Sequence, residues 1–193
     1  MVYYLLSLAA AYLAGSVNFA ILLFKLLGKA DPRTRFSQNP GVTNVYRQAG
    51  WAMALLVLVL DVGRAAAVAL LGRYLFSLPW VPWLGLALIL GNHYPCFHDF
   101  HGGKGVANFL GFCAPLIPLG TVVAVGAYGL VFWLRRVPFV ASFAMVGVLA
   151  GFSLGRWGQW PAAALATLVT VGLIVWFHRA NMAELAARKR PGE

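Results

Sequence analysis

Long apolar runs separated by short polar stretches dominate the hydrophobic pattern of the chain. A helix needs roughly 20 apolar residues to cross a bilayer. Five runs fit a single crossing each: 1–27, 51–72, 79–95, 138–155 and 159–177. The run 106–134 is too long for one crossing and contains Pro115 and Pro118, so we predict two short helices joined by a turn there. The pattern predicts an all-α integral membrane protein with about seven transmembrane helices.

Basic residues predict the orientation of these helices, because short cytoplasmic loops hold the excess of Lys and Arg. Seven crossings with the N-terminus outside and the C-terminus cytoplasmic leave only Arg73 and Arg156 in outside loops. A single crossing from 106 to 134 would instead place Arg135 and Arg136 opposite the first loop or the C-terminal tail. A re-entrant helix at 105–117 fits the charge pattern equally well, so that alternative stays open.

The predicted orientation gathers the polar stretches of the chain at the cytoplasmic face, where we expect a composite site. They are residues 28–50, 91–105, 135–142 and 177–193. No repeat or composition shift divides the chain, so residues 1–193 are predicted to form a single polytopic membrane domain. The apolar N-terminal run has no basic residue before it and is interpreted as a retained span rather than a signal peptide.

Composition agrees with a membrane protein and limits the partners. Hydrophobic residues make up 61% of the chain, charged residues 10%, and the net charge is +10. The basic residues lie at the ends of apolar runs rather than in a stripe, so membrane topology and anionic lipid explain the charge better than nucleic acid does. Cys96 and Cys113 lack metal-ligand spacing, which favours buried thiols over a disulfide or a metal site.

The segment GNHYPCFHDFHGGKGVAN, residues 91–108, has the residue types of an anion site. Gly102, Gly103 and Gly105 allow a tight turn and a close backbone approach, and Lys104 supplies a cation. A helix predicted to begin near Val106 would point its free N–H groups to the same place. The alternative is a plain interfacial turn whose lysine extends toward water.

The first loop carries a second set of candidate phosphate ligands: Ser37, Asn39, Thr43, Asn44 and Arg47. Hydroxyls, amides and a planar guanidinium are common partners of phosphate oxygens. The alternative is a capped turn and a short helix, with Asn39 or Thr43 as the cap. Asn18 is polar inside the first apolar run, and the pattern gives no reason for it.

Two further pairs of polar residues are spaced three apart on predicted helices. Asp61 and Arg64 lie inside the second span, where a structural ion pair is favoured. His178 and Asn181 lie side by side at the cytoplasmic end of the last helix. A histidine alone is more typical here of an interfacial anchor or of a residue that compensates the helix dipole than of a site, and the neighbouring asparagine narrows that difference.

Several reaction classes are disfavoured by the residues. The chain has five acidic residues, which are widely separated, so no metal site or cofactor is predicted. His98 beside Asp99 is adjacency rather than a catalytic triad, and no Gly-x-Ser-x-Gly motif occurs.

Taken together, six motifs resemble the bacterial acyl-phosphate glycerol-3-phosphate acyltransferases, the PlsY family, along nearly the whole chain. They are AYLAGSVNFA at 11–20, SQNPGVTNVYRQAG at 37–50, LDVGRA at 60–65, GNHYPCF with FHGGKGVAN, Ser142 after the double arginine, and HRANM at 178–182. The resemblance implies transfer of a fatty acyl group from acyl phosphate to the 1-hydroxyl of sn-glycerol 3-phosphate, giving lysophosphatidic acid and phosphate. It implies no cofactor, and a multi-pass protein of the bacterial cytoplasmic (inner) membrane.

The resemblance also implies residue roles. Lys104, His178, Ser37 and Arg47 would be catalytic, and the substrate-binding residues would be Asn39, Thr43, Asn44, Gly102, Gly103, Gly105, Ser142 and Asn181. Either His178 or a donor phosphate oxygen would take the hydroxyl proton. The His-x-x-x-x-Asp motif of acyl-thioester-using acyltransferases is absent, which favours acyl phosphate as donor. The enzyme that makes acyl phosphate is a further candidate partner.

The chain departs from the expected family pattern at Gln38, Arg64, Asn92, His101 and Phe139. The histidine at 101 stands where the family usually has lysine, so we hypothesise weaker phosphate binding above about pH 6.5. Two alternatives to the acyltransferase are a diverged relative with another acceptor and a small anion transporter. A transporter is disfavoured because no inverted repeat is found. A structural membrane subunit would leave the polar loops without a purpose.

Overall fold

The computed structural model describes residues 1–188 and contains only helices and connecting turns over that range. The α-helices are α1 (Val2–Ser16), α2 (Phe19–Leu26), α3 (Val42–Leu75), α4 (Val81–His93), α5 (Val106–Cys113), α6 (Pro118–Arg135), α7 (Pro138–Trp157), α8 (Pro161–Phe177) and α9 (Arg179–Arg188). Short 3-10 turns occupy Pro32–Thr34 and Leu78–Trp80. The predicted all-α fold is confirmed, while the tail residues 189–193 lie outside the described part.

The first predicted span is a broken helix. α1 and α2 meet at an angle of 45° around Val17 and Asn18. The Asn18 side chain accepts a 3.1 Å hydrogen bond from the Ile21 N–H and so caps α2. This cap explains a polar residue for which the apolar pattern gave no reason, because a helix that restarts inside a membrane exposes N–H groups that need a partner.

The first loop leads into α3 without a side-chain cap. α3 begins at Val42 with Gly41 as its N-cap, and neither Asn39 nor Thr43 caps it, so the predicted cap is wrong, although the predicted turn and short helix are present. Gly50 interrupts the helix with a φ of 80°, which separates the short helical segment 42–49 from the long apolar part. Thr43, Asn44 and Arg47 are thus carried on one rigid helical segment that is set at an angle to the span.

The run 106–134 forms two helices, as predicted from its prolines. α5 ends at Cys113, and Pro118 occupies the first turn of α6, where its missing N–H costs nothing. α5 has eight residues and rises about 12 Å, less than half of a hydrocarbon core of about 30 Å. It packs along α3, while α6 packs along α7.

The centre of the fold is α4, which packs along α1 and also contacts α3 and α8. The backbones of α1 and α4 touch at two glycines. A Cβ on Gly15 would collide with the Leu88 carbonyl, and one on Gly91 with the Tyr12 carbonyl. Small residues at helix crossings are the usual means of close packing in a bilayer. This contact fixes the end of α4 from which the glycine-rich loop departs.

Within residues 1–188, three helices are individually long and apolar enough to cross a membrane: α3, α6 and α7. The bent pairs α1–α2 and α8–α9 raise the number to five. α4 and α5 have 13 and 8 residues, so each depends on its neighbours rather than on its own length to lie in the apolar layer. Seven crossings and the orientation stay predictions.

Candidate active site

A cavity of about 600 Å³ brings together the polar segments that the sequence placed at one face. Its wall contains parts of the first loop, α3, the glycine-rich turn, α5, α6, α7 and the α8–α9 junction. Of the predicted site residues, those lining it are Ser37, Asn39, Thr43, Asn44, Arg47, Gly103, Lys104, Gly105, Ser142, His178 and Asn181. Gly102 is the exception and lines an adjoining cavity of about 410 Å³, which shares Ser37, Lys104 and Asn181 with the first.

The glycine-rich turn is fixed by backbone hydrogen bonds to the end of α4. The Gly102 N–H donates to the His93 carbonyl at 3.0 Å, and the Gly103 N–H to the Asn92 carbonyl at 2.9 Å. Gly105 then takes a φ of 83°, a left-handed conformation that favours glycine, and is the N-cap of α5. The first turn of α5 therefore starts at the cavity wall, where its free N–H groups and positive dipole end suit an anion.

Lys104 points into the cavity from this turn. Its Nζ donates a hydrogen bond to Asn181 Oδ1, which links the turn to α9. Burial lowers the pKa of Lys104 below its usual range, and the negative charge of Glu184 offsets part of that lowering. The ammonium has three donors, so two remain available to a ligand after the Asn181 contact.

His178 is almost completely buried and lies at the bend between α8 and α9 rather than within one continuous last helix. Its Nδ1 is 2.7 Å from the Ile174 carbonyl, a geometry that places the ring proton on Nδ1 and leaves Nε2 as an acceptor. Burial lowers the pKa of His178 to about 4, so the ring is neutral near pH 7. His178 is therefore a neutral hydrogen-bond acceptor beside Lys104.

The first loop contributes both bound and unbound polar groups. Arg47 and Ser37 make no side-chain hydrogen bond with any described residue, although both line the cavity. Asn44 uses its Nδ2 on the Pro32 carbonyl at 2.8 Å, which holds the loop closed, while its buried Oδ1 has no partner. Ser142 donates to the Pro138 carbonyl within α7 at 3.0 Å. The loop thus offers a guanidinium, a hydroxyl and an amide oxygen to a ligand.

The polar mouth continues into an apolar pocket. Leu58 of α3, Leu110 of α5, Val125 and Tyr128 of α6 and Met145 of α7 complete the cavity wall. Val125 is half exposed on the outer surface of the bundle. The cavity therefore joins a cationic mouth to apolar space that reaches the side of the protein.

Comparison with known proteins identifies the family. The sequence profile described as Glycerol-3-phosphate acyltransferase matches residues 5–188.

The chain belongs to the glycerol-3-phosphate acyltransferase family.

Relatives and solved structures agree with this assignment. A glycerol-3-phosphate acyltransferase of Pseudomonas aeruginosa is 42% identical over 182 residues, which cover 93% of this chain and 95% of the relative. One from Azotobacter vinelandii is 41% identical over the same coverage. The crystal structure of PlsY (YgiH), an integral membrane glycerol 3-phosphate acyltransferase, matches in its glycerol 3-phosphate form with a TM-score of 0.89 and 31% identity, covering 97% of this chain and 94% of that one. Its lysophosphatidic acid form matches with a TM-score of 0.87 and 30% identity.

The predicted membrane-protein class is confirmed for this glycerol-3-phosphate acyltransferase family member. The family assignment does not itself test the role of any residue. Lys104, Arg47 and the other predicted site residues are brought together by the fold, and their individual roles stay predictions.

Among the other histidines of the glycine-rich segment, His93 lines the smaller cavity, whereas His98 and His101 line neither cavity of this family member. Arg33 Nη1 donates to the carbonyls of His98 and His101 at 2.8 and 3.2 Å, which ties the first loop to the glycine-rich segment. His101 is exposed and lines neither cavity. This placement argues against the weaker phosphate binding that we hypothesised from the histidine at this position.

Two charged residues of the cavity wall, Arg136 and Glu184, were not predicted as site residues, and a third, Asp61, was predicted only as part of a structural ion pair. Arg136 lies at the end of α6 in a left-handed conformation with φ 54°, and its charge was used only to predict topology. Glu184 lies on α9 and lines both cavities. Its position three residues after Asn181 puts both on one face of a helix, a signal that was available in the sequence. Among the described residues, no cluster of three His, Cys, Asp or Glu could hold a metal ion.

Proposed function

We propose that the protein transfers a fatty acyl group from acyl phosphate to the 1-hydroxyl of sn-glycerol 3-phosphate, giving lysophosphatidic acid and phosphate. One observation carries the proposal: the cavity joins a cationic mouth, which holds Lys104, Arg47 and the N-terminus of α5, to an apolar pocket. Both substrates carry phosphate, and one carries an acyl chain. The two parts of the cavity suit these two chemistries.

The reaction needs positioned phosphates and a positioned hydroxyl rather than a cofactor. The hydroxyl oxygen of glycerol 3-phosphate attacks the acyl carbon, a C–O bond forms, and the bond from that carbon to the phosphate oxygen breaks. Lys104, Arg47 and the α5 N–H groups would hold the phosphate oxygens and stabilise the charge on the departing phosphate. The unpaired Oδ1 of Asn44 suits a hydroxyl of the acceptor.

His178 would orient the attacking hydroxyl through Nε2, because Nδ1 is committed to the Ile174 carbonyl. Its lowered pKa of about 4 makes the ring a weak proton acceptor. A phosphate group has a second pKa of about 6 and is the stronger base. We therefore favour a donor phosphate oxygen as the group that takes the proton, with His178 as the hydrogen-bond acceptor that aims it.

The setting of the reaction follows from the apolar helices and the predicted topology. We propose a single multi-pass domain, 1–193, in the bacterial cytoplasmic (inner) membrane, with the site open to the cytoplasm. Glycerol 3-phosphate would enter from that side, and the acyl chain would lie in the apolar pocket near Val125. The enzyme that makes acyl phosphate is a candidate partner, because its product is amphiphilic and must reach the membrane.

The direct test supplies purified protein in lipid vesicles with palmitoyl phosphate and glycerol 3-phosphate. We expect lysophosphatidic acid to form, and palmitoyl-coenzyme A to replace palmitoyl phosphate poorly. Efficient use of the thioester would overturn the donor assignment. Absence of lysophosphatidic acid, together with efflux of glycerol 3-phosphate from loaded vesicles, would favour the anion transporter instead.

A further inference from the structure

Arg64 lies at the meeting point of four segments close to the site. Its Nη2 donates to Asp61 Oδ1 at 3.0 Å and to Asn108 Oδ1 at 2.6 Å. Its Nη1 donates to the Val17 carbonyl at the break between α1 and α2, and its guanidinium lies 5.0 Å from the centre of the Phe19 ring. One side chain thereby joins α1, α2, α3 and α5.

Each of these contacts uses a group that the fold leaves without another partner. The α1–α2 break removes the continuous helical ladder around Val17, and Arg64 supplies a donor to its carbonyl. Asn108 is 2% exposed, so its side-chain oxygen depends on a protein partner. Asp61 is 6% exposed and has Arg64 as its ion-pair partner. A planar guanidinium with five donors suits this arrangement.

The hydrogen bond between Arg64 and Asn108 is linked to the glycine-rich turn through the backbone of α5. Asn108 lies in the first turn of α5, three residues after the N-cap Gly105 and four after Lys104. Asn108 also lines the cavity. The hydrogen bond to Asn108 also holds the start of α5 in place, because residues 106–108 form the first helical turn after Gly105. The position of this turn determines where the free N–H groups of α5 point and where the Lys104 backbone lies.

Arg64 also controls the charge of the cavity wall. Asp61 lines the cavity in which anionic substrates would bind. An unpaired carboxylate there would repel phosphate. The adjacent guanidinium cancels this charge while remaining on the side of Asp61 that faces α2 and α5.

We propose that Arg64 is a positioning residue for acyl transfer: through Asn108 it holds the first turn of α5, with Gly105 and Lys104, against the break between α1 and α2. This inference rests on the proposed function. It assigns more to the Asp61–Arg64 pair than the structural role predicted from its spacing, since it links the pair to substrate binding.

The test compares the KM for glycerol 3-phosphate in Arg64→Met and Arg64→Lys. A purely structural loss lowers the folded fraction and therefore the maximal rate, but leaves the KM of the folded molecules unchanged. We expect Arg64→Met to raise this KM by about 10- to 100-fold, the scale of effect for a small misplacement of a site. Arg64→Lys keeps a cation and several donors, so we expect it to recover most of the loss.

Asn108→Ala isolates the link to α5, because it leaves Arg64 paired with Asp61 and Val17. We expect a raised KM, and no further rise when it is combined with Arg64→Met, since both changes break the same link. An unchanged KM in Asn108→Ala, or additive effects in the double variant, would overturn the proposal. Should Arg64→Met fail to fold, the KM of Asn108→Ala alone decides: a raised KM supports the proposal and an unchanged KM overturns it.

Thr167→Val is the matched control. It breaks a buried hydrogen bond from Trp157, which lines neither cavity, and should lower thermal stability without altering the KM. Different results would overturn the proposed function and the proposed role of Arg64. Wild-type protein that makes no lysophosphatidic acid would overturn the proposed function, whereas an active wild type with an unchanged KM in Arg64→Met would overturn only the role of Arg64.

Discussion

Two regions of this molecule treat their polar side chains in opposite ways. In the core between α5, α7 and α8, Trp157 Nε1 donates to Thr167 Oγ1 at 2.9 Å, and Thr167 in turn donates to the Ala163 carbonyl. Cys113 and Ser153 face each other there as well. In the cavity, by contrast, Arg47 and Ser37 have no side-chain partner within the described residues.

The difference separates polar groups that hold the fold from polar groups that await a ligand. Arg47 and Ser37 are exposed and open to a ligand, while the buried Asn44 Oδ1 has no partner, a free-energy cost that a bound donor can offset. The core pairs are complete by themselves. The cavity set is completed by phosphate oxygens and a hydroxyl in the proposed function.

The largest effect is expected from variants that remove a cation of the cavity. Lys104→Ala and Arg47→Ala should each lower kcat/KM by about 10²- to 10³-fold, the cost of losing one preorganised donor to a charged transition state. Thermal unfolding should change little. Arg73→Ala provides the control, since Arg73 lies at the other end of α3. Near-normal rates in either site variant would refute its phosphate-binding role.

His178→Ala should have the next largest effect and sharpens the proposed role of that side chain. Loss of a hydroxyl-orienting acceptor should reduce kcat by about 10²-fold, at the low end of what a general base supplies. Single-turnover rates with palmitoyl phosphate measure the chemical step. A loss near the upper end of that range, about 10⁴-fold, would instead favour His178 as the proton acceptor.

The lowered pKa of Lys104 predicts a moderate pH effect. The charged form binds phosphate, and it is lost as the pH rises through a pKa below the usual 10.5. The dissociation constant for glycerol 3-phosphate should therefore rise at a lower pH than an exposed lysine would produce. Lys104→Arg stays charged and should lose this alkaline limb. Calorimetric titrations that show the same limb in both proteins would assign it to another group.

A smaller effect is expected on the core side. Thr167→Val leaves the indole N–H of Trp157 without its acceptor and should lower the free energy of unfolding by about 1 kcal/mol. Thermal denaturation in detergent measures the change. The KM for both substrates should stay at the wild-type value, and an altered KM would show that the two regions are coupled.

The smallest effect is expected at His101. His101→Lys introduces the lysine that the resemblance leads us to expect at this position, yet His101 lines neither cavity. The KM for glycerol 3-phosphate should change less than about 2-fold between pH 6 and 8, a range that spans the usual titration of histidine. A clear drop in KM at pH 8 in the lysine variant would restore the hypothesis drawn from the sequence.

The apolar pattern was sufficient to predict the helices, and charge placement grouped the polar loops correctly. Pro115 and Pro118 indicated two helices in one long run, because proline removes a backbone donor. The break at Asn18 and the kink at Gly50 were not predicted. A single polar residue such as Asn18 does not by itself indicate a break, and Gly50 lies at the boundary between the polar stretch and the apolar run, where hydropathy does not show that the helix already begins at Val42.

Site residues within a recognisable motif were predicted from the sequence. Residues that belong to the site only because of their position in the fold were missed. Lys104 follows two glycines and is recognisable from sequence. Arg136 is one of two adjacent arginines, and the turn at the end of α6 selects which one lines the cavity. The hydrogen bond between Arg64 and Asn108 joins residues 44 positions apart, so it cannot be predicted from residue spacing within one helix.

We propose above that the cavity aligns two phosphate-bearing substrates for acyl transfer. The most direct measurement is the ratio of lysophosphatidic acid formed to inorganic phosphate released by purified protein in vesicles, with Lys104→Ala in parallel. We expect equal amounts of the two products from the wild type and a strong, equal loss of both in the variant. Phosphate released without lysophosphatidic acid, or products unaffected by Lys104→Ala, would contradict it.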